Sequence, residues 1–128
     1  MPASSVTAAI TGTDHATPAL ARVAAVTLLA GYPATAVTVQ LVGLAVEGGL
    51  RPQADPRRRR GLYRVFVNGP GRDALFGCID ISETTGRAVR AYLTHGNDGV
   101  ERRYESVAGI RAVLASWAAI QRERNTHP

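Results

Sequence analysis

A chain of 128 residues with 45% hydrophobic and 20% charged residues has the material for one domain with a core, which excludes a disordered chain and a two-domain arrangement. The formal net charge is +5 and the sequence pI is near 10.3, a balance that permits an anionic partner without requiring one. All 15 cations are arginine, so arginine is the default cation of what reads as a G+C-rich bacterial gene. The role of any one arginine therefore has to be argued from its neighbours.

Cys78 is the only cysteine, which rules out an intramolecular disulfide and suits a reducing compartment. No Lys or Arg precedes Arg22, so a basic leader segment is not expected. The most apolar run, Ala19 to Gly31, is too short for a bilayer and contains Arg22. The expectation is a cytoplasmic protein with no membrane partner.

In chain order, residues 1–13 read as a tail, 14–122 as a single domain and 123–128 as a second tail. Thr17-Pro18 offers an N-cap and a proline at the first helical position, Leu20, Val23, Ala24 and Leu28 form an apolar stripe, and Gly31 with Pro33 ends the helix. That helix has almost no polar face, so either it is deeply buried or its second side meets another chain. Val37, Val39 and Leu41 alternate with Thr38 and Gln40, which favours a strand; from Val42 to Val46 the pattern suits strand or helix. Leu50 to Arg60, with Pro52 and Pro56, reads as a mobile loop.

Gly61 to His95 then holds three β-rich runs separated by turn residues, an antiparallel meander, and Val100 to Tyr104 reads as a short last strand. Ser106 caps a closing helix with Val107, Ile110, Leu114, Trp117 and Ala118 on one face. The fold class expected is α+β: an antiparallel sheet of four to five strands with an N-terminal and a C-terminal helix packed on one face.

Period-two alternation divides the meander. Tyr63, Val65, Val67, Leu75, Gly77, Ile79, Ile81, Val89, Ala91 and Leu93 make an apolar side. Leu62, Arg64, Phe66, Phe76, Cys78, Asp80, Arg90, Tyr92 and Thr94 make a side where guanidinium groups sit beside rings. Such faces stack bases and hold phosphates, but rings and arginines also serve as cross-strand partners, and an apolar patch of this kind suits a homodimer. Asp80 is expected to pair with Arg64 or Arg90.

The candidate binding residues are Arg57, Arg58, Arg59 and Arg60 in the loop, Arg64, Phe66, Phe76, Arg90 and Tyr92 on the sheet, and Arg102 and Arg103 before the last helix. The four consecutive arginines are either a solvated loop or a phosphate-binding one. His15, His95 and His127 have no metal-site spacing, Cys78 reads as a packing residue, and Asn68-Gly-Pro-Gly71 is a turn rather than a phosphate cradle. His95 near Asp98 is the one candidate acid–base pair. No cofactor is expected.

The order helix, strands, helix, with Arg57–Arg60 between early strands, resembles the double-stranded-RNA-binding domain, whose corresponding loop touches the duplex. Ser106 to Ile110 lacks the cations that family carries in its final helix. Ala74 to Arg122 is similar in element order to the arm-binding domains of phage-type integrases. The expected function is a non-catalytic binding module for an anionic partner, nucleic acid before an acidic protein. The alternative is a homodimeric structural or regulatory protein that binds another protein through the sheet face or first helix.

Overall fold

A computed structural model describes residues 17–71, 73–95 and 99–126. Among the described residues, three helices cover one side of a five-stranded antiparallel sheet, giving an α+β fold. Helix α1 (Pro18–Leu28) and helix α2 (Ala36–Glu47) come first. Strands β1 (Arg51–Arg59), β2 (Leu62–Asn68), β3 (Leu75–Ser82), β4 (Ala88–His95) and β5 (Glu101–Tyr104) follow in simple up-and-down order. Helix α3 (Val107–Thr126) closes the chain, continuing through residues expected to fray. The expected tail at residues 1–13 lies outside the described residues.

Helix α1 begins as its sequence dictates, with the Thr17 hydroxyl accepting from the Leu20 N–H and Pro18 at the first turn. Its buried stripe is Ala21, Ala25 and Leu29, rotated from the expected one, and Val23 faces solvent. Small residues decide this: a Cβ on Gly43 of α2 would sit 3.8 Å from the Ala21 carbonyl, so α1 and α2 approach closely along the Ala21 side.

The strand expected at Val37–Leu41 is the first part of α2. Five alternating residues imitate a strand, but Thr38, Leu41, Val42, Ala45 and Val46 are buried at helical spacing, and Thr35 caps the helix by accepting from the Thr38 N–H at 3.2 Å. The loop expected at Leu50–Arg60 is likewise corrected, because it forms β1. As an edge strand β1 tolerates two prolines, since one side of its backbone has no neighbour to bond. Arg60 (φ 54°) and Gly61 (φ 78°) make the turn into β2, both with the positive φ that a tight two-residue hairpin requires.

The apolar side of the meander packs under the helices as expected: Tyr63, Val65, Val67, Leu75, Ile79, Ile81, Ala91 and Leu93 join Leu41, Val42, Ala45, Ile110, Leu114 and Trp117 in one core. Val89 departs from it. Asp80 pairs with Arg90 while Ile81 pairs with Ala88, so Val89 is the extra residue of a bulge and is 41% exposed.

Polar ties join the helices to one another and to the sheet. The Trp117 indole N–H donates to the Gly48 carbonyl at 3.0 Å, the Thr38 hydroxyl donates to the Gly86 carbonyl at 2.7 Å, and the Tyr63 hydroxyl donates to the Pro33 carbonyl. Gly77 lies tight against β4: its φ is 149°, and a Cβ there would lie 1.9 Å from the Tyr92 carbonyl oxygen. Gly77→Ala is expected to cost at least about 3 kcal/mol, read from the urea midpoint, whereas Gly71→Ala, which meets nothing within 4 Å, changes stability by less than about 0.5 kcal/mol.

Candidate functional site

Among the described residues no helix covers the other side of the sheet, and antiparallel register lays its side chains in cross-strand rows. One row is Asp55, Arg64, Asp80 and Arg90. The next is Gln53, Phe66, Cys78, Tyr92 and Arg103. A third holds Arg51, Asn68, Phe76, Thr94 and Glu101. Arg59 faces Leu62 and Ser82 at the opposite end. The parity read from the sequence therefore holds, and Arg64, Phe66, Phe76, Arg90 and Tyr92 share this outer face.

Asp80 anchors the first row. Its side chain is 3% exposed and accepts from Arg64 Nε at 2.8 Å, Arg64 Nη2 at 3.3 Å and Arg90 Nε at 2.9 Å. Asp80 thus pairs with both expected partners at once. Burial pushes its carboxyl up, but the hydrogen bonds and charges of the two arginines outweigh burial and hold it below the usual carboxylate range. The same hydrogen bonds raise both guanidinium pKa values. Beside them, Asp55 accepts from the Arg57 backbone at 3.0 Å and from its side chain at 3.2 to 3.3 Å, and the side-chain bond is the main cause of its lowered pKa.

Tyr92 stands at the centre of the cations. The guanidinium carbons of Arg90, Arg103 and Arg64 lie 5.8, 5.9 and 6.0 Å from its ring centroid, at the limit of cation–π attraction. Phe66 and Tyr92 are half-buried and flank Cys78 on the same row. Phe76, one row on, is 43% exposed. Burial raises the Cys78 thiol pKa, and Cys78 lies between the two rings on this row.

The remaining expected residues divide. Arg57 and Arg59 lie at the bulged end of β1, and Arg60 occupies the turn. The Arg58 side chain lies outside the described residues. Arg103 joins the outer face opposite Tyr92, but Arg102 pairs with Leu93 and so belongs to the helix side, because neighbours in a strand point oppositely. His95 also lies on that side, 5.1 Å from the Trp117 ring, and Asp98 lies outside the described residues. Sequence reading missed Gln53 and Asp55; the alternation of Arg51, Gln53 and Asp55 with Pro52 and Ala54 was the available signal.

Among the described residues no cluster of three His, Cys, Asp or Glu side chains could hold a metal ion, and no helix is long and apolar enough to cross a membrane. Comparison with known protein families, with curated proteins and with solved structures finds no match to this chain.

Asp80 supplies a test of the site's electrostatics. Because folding lowers its pKa, the ion trio contributes fully above the unfolded value of about 3.9 and is lost as pH falls through the folded one. Asp80→Asn is expected to lower stability by about 2 kcal/mol at pH 7. The difference from wild type should narrow below about pH 4, as followed by denaturant titration across pH.

Proposed function

We propose that this protein is a non-catalytic module that binds single-stranded nucleic acid across the outer face of its sheet. The observation that carries the reading is a face, left uncovered by the described residues, on which Phe66, Phe76 and Tyr92 stand among Arg64, Arg90 and Arg103. Rings on an open sheet offer stacking platforms that tolerate any base, and guanidinium groups beside them meet the phosphates.

The charge of the face favours an anion over a second copy. Arg51, Arg57, Arg59, Arg64, Arg90 and Arg103 supply six positive charges against four from Asp55, Asp80, Glu101 and Glu105, the last paired with Arg103, leaving +2. Two such faces pressed together would repel.

Fluorescence anisotropy with a labelled single-stranded oligonucleotide tests the reading. Affinity is expected to fall steeply between about 50 and 200 mM salt, with each arginine that neutralises a phosphate adding about 0.7 to the logarithmic slope. Tyr92→Ala or Phe76→Ala should weaken binding by about 5- to 100-fold. Salt-insensitive binding, or affinity indifferent to both rings, would remove the reading.

One observation supports self-association by a different surface. Val23 and Val26 of α1 are 49% and 51% exposed on a helix with few polar residues. A homodimer built on α1 would appear in light scattering and dissociate in Val26→Glu, while a monomer at all concentrations would eliminate it.

A further inference from the structure

At the Arg59 end of the outer face four strands converge on a depression of about 30 Å³, the room of one or two waters. Arg57 and Arg59 reach it from the bulged end of β1, Arg64 from β2 and Arg90 from β4, with Asp80 of β3 between them. This space admits the oxygens of an oxyanion and excludes a base or a sugar.

Asp80 organises the cations more than it neutralises them. Each guanidinium carries five N–H groups, and Asp80 accepts two from Arg64 and one from Arg90, three of the ten that the pair presents. A nearly inaccessible carboxylate thereby fixes the planes of two forks without consuming them. Bidentate, charge-assisted donors held in place are what a phosphoryl group requires.

The charge balance narrows the ligand. Four arginines face Asp55 and Asp80, which leaves +2. A phosphodiester carries one negative charge and would leave the site positive, whereas a phosphate monoester carries about −1.5 to −2 at pH 7 and neutralises it.

We propose that the depression formed by Arg57, Arg59, Arg64 and Arg90 is a binding site for a terminal phosphate monoester, borne either by the end of a nucleic acid strand or by a small phosphorylated molecule. The site lies one cross-strand row from Tyr92 and Phe66, about 7 Å along the strands. A strand anchored there by its end phosphate places its following bases toward the rings. The monoester site does not depend on the strand reading; only this placement of the bases does.

Three probes separate the two: a 5′-phosphorylated single-stranded oligonucleotide, the same oligonucleotide with a 5′-hydroxyl, and a nucleoside 5′-monophosphate. The phosphorylated strand is expected to bind about tenfold more tightly than the hydroxyl strand at pH 7.5. The doubly substituted Arg59→Gln, Arg90→Gln protein should lose that preference, with the near-ultraviolet signal of Trp117 confirming that it is folded. The preference should also shrink at pH 5, because a monoester dianion takes up one proton near pH 6 and becomes a monoanion. The acidic groups at the site do not titrate in that interval: Asp55 beside Arg57 and Asp80 in the lining lie below the usual carboxylate range, and burial pushes Tyr63 up to about 12.

Binding of the monophosphate with no binding of either strand would uphold the site and remove the strand reading. Equal binding of the two strands, or a phosphate preference untouched in the double variant, would overturn the site while leaving the strand reading intact. No binding of any probe would overturn both.

Discussion

The outer face depends on one buried carboxylate. Asp80 lies on the middle strand of five and accepts from arginines on both neighbouring strands, so a single side chain ties β2, β3 and β4 together. Burying an ion is costly, and an Asp80 facing only one arginine would recover little of that cost. Two partners that are themselves 20% and 31% exposed change the balance, because their guanidinium groups keep part of their hydration while Asp80 receives three hydrogen bonds. The trio also pins register. A slip of one residue would drive Asp80 into the apolar layer beside Ile79 and Ile81.

The helix layer answers the opposite constraint. An antiparallel sheet with one apolar side needs cover on that side alone, and three helices provide it through small residues and a few directed hydrogen bonds. Gly86 is an example of how tightly the layers meet. Its φ is 75°, a Cβ there would lie 2.6 Å from the Ala34 nitrogen, and its carbonyl accepts from both the Thr38 hydroxyl and the Thr35 N–H. The turn between β3 and β4 thus docks on the start of α2.

The meander was legible because burial on one side imposes period two, and Tyr63 to Leu93 obey it except where the bulge displaces Val89. The final helix was legible for the same reason at helical period, with Ile110, Leu114, Trp117 and Ala118 buried. Helix α2 was not. It is buried on more than one side, so Val37 to Val46 show no clean stripe, and β-branched residues at its start imitate a strand. Strand β1 escaped because prolines and arginines are loop residues everywhere except on an edge, and edge position is a property of the whole sheet rather than of the segment. Of the candidate site, the face could be read from parity. That Asp80 holds both arginines, and that Arg57 and Arg59 come round to meet them, required the three-dimensional path of β1.

The arginines of β1 invite a simpler account, since charge on an edge strand discourages pairing with other chains. Edge protection explains β5 well: it has four residues, and Glu101, Arg102 and Arg103 are exposed. On β1 the same work is already done by Pro52, Pro56 and the irregular register between Asp55 and Arg59. Further cations at that end repel one another and add nothing to protection. Exposed as they are, Arg57 and Arg59 border the same small depression as Arg64 and Arg90. Like charges gathered around a concavity raise its positive potential far more than the same charges spread along an edge. The gathering, rather than the abundance of arginine in the chain, is what distinguishes this corner of the sheet.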